Sequence, residues 1–130
     1  MRATLLDHTG MGRETGRIVI DDLPDRITLR DLIALRVREE VARFNKDKGR
    51  ALFNGLVQPD DSEVVLNGYA LRTPRRLDWE KQAEKAFDAF ARNGFFVLVG
   101  QRQVEDLAET IDLTTANEVS FIKLVPIVGG

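Results

Sequence analysis

Cysteine is absent from the chain, and histidine occurs once, at His8. The first absence excludes disulfide staples, a thiol nucleophile, iron–sulfur clusters and any cysteine-based zinc site. The second excludes a histidine-rich metal site. An excess of charge of one sign is also missing: 19 basic residues stand against 21 acidic ones. That balance carries no electrostatic footprint for nucleic acid. Apolar runs are too short for a membrane span or a secretory leader, so the expected location is the cytoplasm, with no membrane partner. What is present is 43% apolar and 31% charged residues over 130 positions. That composition suits one folded domain over 1–130 with a modest core.

The first half reads as a hairpin and a helix. Thr4-Leu5-Leu6 opens a strand, and His8–Gly16, with three glycines, reads as a loop. Arg17-Ile18-Val19-Ile20 is a short β-branched strand ended by Asp21-Asp22-Leu23-Pro24-Asp25. The glycines do not form a phosphate loop, because no Gly-Lys-Ser/Thr follows them. Thr28 then caps a helix, with Asp31 three places on. Leu29, Ile33, Val37, Val41 and Phe44 repeat at three and four, widened by Leu32, and form one apolar stripe. Arg30, Arg36, Arg38, Glu39, Glu40 and Arg43 read as its solvated face. The helix fades over 45–49.

Residues 49–92 read as an insertion with its own helix. Glu63-Val64-Val65-Leu66, Asn67-Gly68 and Tyr69-Ala70-Leu71 have the shape of a hairpin, since Asn-Gly suits a type I′ turn. Arg72, Arg75 and Arg76 form a small basic cluster, read either as ordinary surface or as a contact for carboxylate or phosphate. Asp78 caps a helix running to about Arg92 and closed at Asn93-Gly94. Its Trp79, Ala83, Ala86, Phe87 and Phe90 line one face, either core or a docking face. Glu80, Glu84 and Asp88 recur at four but have no nucleophile or histidine near them, so no acid/base site is assigned.

Phe95–Val99 is a strongly apolar strand, Gly100–Gln103 a turn, Val104–Leu107 a very short strand or bend, and Ala108–Leu113 a helical turn or loop. Val119–Val125 is the last strand, apolar enough to be central. The expected fold class is α+β: a mixed sheet packed on one helix, with a helix-containing region inserted between the main helix and the third strand. In this order the chain resembles the ubiquitin-like β-grasp family. Two stretches carry the resemblance: Phe96–Asp106, which is similar to the third strand of ubiquitin, its glycine turn and the segment that follows, and the last strand running into Gly129-Gly130. The ending Val125-Pro126-Ile127-Val128-Gly129-Gly130 also resembles sulfur-carrier relatives. The resemblance spans the chain outside 49–92.

The residues of the tail fit such a role on their own chemistry. Two glycines lack Cβ atoms and thread a slot where an enzyme must approach backbone closely. Pro126, Ile127 and Val128 hold the preceding chain extended. Gly-Gly ends about one chain in 200 by chance at a glycine frequency of ~7%, so the pair gains weight only behind an apolar strand. The resemblance implies that the Gly130 carboxylate is activated as an acyl adenylate, with ATP and Mg²⁺ on a partner activating enzyme, no cofactor on this chain, and no enzymatic activity of its own. Conjugation to a protein lysine through an isopeptide bond is one outcome, and a thiocarboxylate that donates sulfur is the other. The implied partners are the adenylating enzyme, a conjugating enzyme, a deconjugating protease and a protein target. By the same resemblance Val97 falls on the partner-binding surface, and Lys123 or Val125 near the patch position of the last strand. The rival expectation is a non-covalent β-grasp interaction module, with the Trp79–Phe90 face and the Arg72–Arg76 cluster as its docking element.

Overall fold

A computed structural model of the chain describes residues 1–124 apart from Lys48, Arg50 and Asn67. The chain forms two compact units, Met1–Leu32 with the chain from Ala89 onward, and Ile33–Asp88.

The first unit is built on a five-stranded sheet. Strand β1 (Ala3–Thr9) pairs antiparallel with β2 (Glu14–Ile20), Leu5 opposite Ile18. The strands extend further into the glycine-rich stretch than the sequence suggested, leaving a tight loop. That loop is held by Thr9, whose N–H donates to the Arg13 carbonyl at 2.8 Å and whose Oγ1 accepts the Met11 and Arg13 N–H groups. Gly12 takes φ +87°, a left-handed turn conformation open to glycine. Two further strands of this sheet are β7 (Phe95–Val99) and β8 (Arg102–Val104). Strand β8 begins two residues before the expected bend, because Gly100, at φ +62°, turns the chain within two residues between Val99 and its partner Arg102. The last strand is β10 (Glu118–Lys123), parallel to β1 and antiparallel to β7. The order is β2-β1-β10-β7-β8, so β10 is indeed central.

One face of this sheet is closed to solvent. Ala3, Leu5, Ile18, Phe95, Val97, Val104, Val119 and Phe121 are all buried. The Phe90, Phe95 and Phe121 rings run in sequence, with centroids 5.7 and 6.0 Å apart. A second, two-stranded pairing joins β3 (Arg26–Thr28) to β9 (Thr110–Asp112). Strand β9 replaces the helical turn or loop expected there. Its one core residue, Ile111, lies opposite Ile27, which is buried too. The Leu29 and Arg30 N–H groups, orphaned by the start of a helix, donate to the Glu109 and Leu107 carbonyls at 2.9 Å each.

The helix that starts there is α1 (Leu29–Lys46), and it continues into the second unit. Thr28 caps it as expected, its Oγ1 accepting the Asp31 N–H at 3.1 Å. Leu29, Leu32, Ile33, Val37, Val41 and Phe44 are all buried. Arg36 and Glu40 are buried too, which corrects the reading that placed them on a solvated face.

The second unit adds a three-stranded sheet in the order β4 (Leu52–Phe53), β6 (Gly68–Leu71), β5 (Ser62–Val65). Val65 stands opposite Gly68, so Gly68 belongs to the strand and not to the turn. Asn67 lies outside the described residues. Phe53 meets Phe44 edge-on at 5.4 Å. Helix α2 (Trp79–Ala91) starts at Asp78, whose Oδ1 accepts the Glu80 N–H at 3.0 Å. Ala83, Ala86 and Phe87 are buried and belong to the core, while Trp79 and Phe90 are half-buried. The Asn45 side chain joins the end of α1 to the approach to α2, donating to the Leu77 carbonyl at 3.0 Å and accepting the Leu77 N–H at 2.9 Å.

The parallel β1–β10 pair at the centre, flanked by antiparallel β2 and β7, is the strand order of the β-grasp fold. The chain is α+β with that mixed sheet and a main helix, and a region with its own helix and small sheet is inserted between α1 and β7.

Candidate functional site

Alternation along the central strands sorts their side chains onto two faces. On β7, Phe95 and Val97 are buried while Phe96 and Leu98 are half-exposed. On β10, Val119 and Phe121 are buried while Ser120 and Ile122 are half-exposed. The register sets Phe96 opposite Ile122 and Leu98 opposite Ser120. Leu6 of β1 lies beside Ser120, and His8 beside Ile122. Leu6, Phe96, Leu98 and Ile122 therefore form an apolar patch on the open face of the sheet, flanked by Val19, which is 40% exposed.

Val97, expected on the partner-binding surface, is 0% exposed and belongs to the core. A shift of one residue along a strand exchanges its faces, and the open face belongs to the neighbours Phe96 and Leu98. Lys123 is half-buried at the end of β10, opposite Phe95 and beside Thr9. Val125, Pro126, Ile127, Val128, Gly129 and Gly130 lie outside the described residues.

Two residues of the basic cluster in the second unit are engaged within that unit. Arg75 donates to the Asp60 carbonyl, and Arg72 Nε is 3.9 Å from Glu63 Oε1. Arg76 is exposed. The perturbed carboxylates are surface links. The Lys85 ammonium, hydrogen-bonded at 2.6 Å, holds the Asp60 carboxyl below the usual carboxylate range, with Arg75 and Lys81 adding to the effect. Asp112 is lowered by hydrogen bonds from the Thr114 hydroxyl and N–H, which close the turn after β9.

The open face was missed at the sequence level, although its signal is the two-residue alternation of Phe95–Val99 and Glu118–Lys123. Fixing its parity requires one anchor, and Phe121, 0% exposed, supplies it. Among the described residues, no group of three His, Cys, Asp or Glu side chains is placed to hold a metal ion. No helix of the described chain is long and apolar enough to cross a membrane.

No protein-family model matches the chain, and no solved structure matches it. A dTTP/UTP pyrophosphatase of Anaeromyxobacter dehalogenans (strain 2CP-1 / ATCC BAA-258) is 30% identical over 87 residues, covering 67% of this chain and 45% of that protein. The chain thus spans less than half the length of the curated relative it matches.

Proposed function

We propose that the chain is a ubiquitin-like protein modifier, acting as a substrate of other enzymes. The observation that carries this reading is the β-grasp strand order, with β10 central and parallel to β1. In that arrangement the last strand, which ends at Lys123, lies in the middle of the sheet, and the sequence after it includes Gly129-Gly130. In this reading the Gly130 carboxylate attacks the α-phosphate of ATP on the partner, releasing pyrophosphate and leaving an acyl adenylate. A thiol of the partner displaces AMP, and a target lysine amine then displaces the thiol to form an isopeptide bond. The chain has no cysteine, so every thiol in this sequence belongs to the partners. The activating enzyme, a conjugating enzyme, a deconjugating protease and the target are the partners this reading calls for. The patch of Leu6, Phe96, Leu98 and Ile122 is the recognition surface it assigns, in place of Val97.

Intact-protein mass spectrometry of the chain from its native cells, beside a strain lacking Gly130, tests the reading. Adducts on target lysines that vanish with the deletion support conjugation. A Gly130-dependent thiocarboxylate supports the sulfur-carrier alternative instead. Unmodified chain throughout, with a deletion strain of normal behaviour, supports a non-covalent interaction module.

The likeness to a dTTP/UTP pyrophosphatase favours a second reading, in which the chain acts on such nucleotides. Incubating the purified chain with dTTP and UTP and measuring pyrophosphate release tests it directly. The modifier reading expects none.

A further inference from the structure

The inserted region shows apolar side chains to solvent on its own small sheet. Leu52 and Val65 are 49% and 40% exposed, and Leu66, which follows β5, is 96% exposed. Leu52, Ala70 and Glu63 form one row across β4, β6 and β5, and Val65 stands on the same face two residues after Glu63. Phe53, Leu71 and Ser62 alternate with them and are buried.

Strand β5 is an edge of this sheet and pairs only with β6. The direction of its backbone groups follows from the ladder. The Arg72 N–H donates to the Asp61 carbonyl at 3.1 Å, while the Leu71 N–H turns the other way, to the Ala51 carbonyl just before β4, at 2.7 Å. In an antiparallel pair, hydrogen-bonded and non-hydrogen-bonded positions alternate. Asp61–Arg72 and Glu63–Ala70 are therefore bonded, and Ser62–Leu71 and Val64–Tyr69 are not. The N–H and C=O groups of Ser62 and Val64 point away from β6. The Ser62 carbonyl accepts the Gln58 side-chain amide at 3.0 Å, which closes that end of the edge. The outward groups of Val64 have no hydrogen-bonding partner among the described residues. An uncovered edge flanked by exposed apolar side chains is a template for another strand.

We infer that β5 pairs antiparallel with β5 of a second copy of the chain, with Val64 on the two-fold axis. Outward-facing residues must meet outward-facing residues, which leaves Glu63, Val64 or Val65 on the axis. Glu63 there would oppose two carboxylates directly. Val65 there would need Leu66 as the strand partner of Val64, and β5 ends at Val65. Val64 has neither fault. The two Val64 residues exchange N–H···O=C bonds, and each Val65 lies across from the Glu63 of the other copy, against its aliphatic stem. The two Glu63 carboxylates become diagonal neighbours, each with its own Arg72 3.9 Å away. The two small sheets join into one of six strands, and both β5 edges are covered. An isologous contact of this kind closes on itself, so the product is a dimer and not a filament. The inference concerns the inserted region and stands apart from the modifier reading.

Sedimentation velocity of the purified full-length chain, at concentrations up to about 1 mM, the range of weak association, tests it. Wild type is expected to dimerise with rising concentration. Val64→Pro removes an outward N–H that bonds nothing within the chain, and should weaken the dimer about tenfold or more. Val65→Lys sets an ammonium across from Glu63 of the other copy and should keep the dimer or tighten it, whereas E63K/V65K opposes like charges and should abolish it. Thermal melting separates lost pairing from unfolding. If Val64→Pro does not fold, the two charge variants, changed at exposed side chains, decide the matter. Monomer at every concentration overturns the inference. So does a dimer that survives folded Val64→Pro or E63K/V65K, or one that Val65→Lys abolishes.

Discussion

Arg36 and Glu40, one turn apart on α1, form an ion pair withdrawn from solvent: Nη2 lies 3.2 Å from Oε2, with side-chain exposures of 2% and 7%. The other carboxylate oxygen of Glu40 accepts the Leu56 N–H at 3.2 Å. The pair thus ties the first turns of the inserted chain to the main helix within one unit. Removing one member of a buried pair costs far more than the pair itself contributes, because the remaining charge stays desolvated. Glu40→Ala is expected to lower unfolding free energy by about 3–5 kcal/mol in urea titration. The double variant R36M/E40L removes both charges and recovers most of that loss. A double variant as unstable as Glu40→Ala would mean that the Leu56 contact, not the charge, dominates.

Asn93 is the left-handed residue that ends α2, at φ 61°. Glycine adopts that conformation without the Cβ penalty. Asn93→Gly is expected to leave stability unchanged or raise it by up to about 1 kcal/mol. Gly94→Ala should do the reverse, because its Cβ would press to 3.1 Å from the Ala89 carbonyl oxygen. Melting temperatures of the two variants, moving in opposite directions, check both.

Asp60 links its loop to α2 through Lys85. Its carboxyl is held below the ordinary value by that ammonium. A lowered folded pKa means that the unfolded chain takes up its proton first as pH falls. The stabilisation is therefore complete above the unfolded value of about 4 and disappears as pH drops through the folded value. Asp60→Asn should be less stable than wild type at neutral pH, with the difference closing below about pH 4. Denaturation curves from pH 7 to pH 2 check the sign. A difference that persists at the acid end assigns it to packing instead.

Where burial follows from a local period, the residues declare it. The Leu29–Phe44 stripe, the Thr28 and Asp78 caps, and the apolar strand Phe95–Val99 all sit as their spacing requires. What was not legible depends on partners distant in sequence. Ile27 and Ile111 each stand as one apolar residue in a three-residue strand, too little for a periodic signal, and only their pairing makes them core. Arg36 and Glu40 have the i, i+4 spacing of an exposed surface pair, and nothing local records that the Leu56 N–H reaches Glu40. Of the expected recognition residues, Val97 was misplaced by parity: the strand was found, but which of its faces opens outward depends on the register with β10.

Val97 and Leu98 make that parity testable. Val97 is fully buried and pairs with Val104 of β8, while Leu98 is half-exposed on the open face opposite Ser120. Val97→Ala removes buried methyl groups and should cost roughly 2 kcal/mol of stability. At temperatures where the variant is folded, it should enter adducts at the wild-type rate. Leu98→Ser should cost no more than about 1 kcal/mol, yet slow adduct formation, because it places a hydroxyl in the middle of the apolar patch. The two measurements, melting and adduct rate, are expected to cross: the stability defect follows Val97 and the recognition defect follows Leu98. If both defects followed Val97, the open face would have no part in recognition.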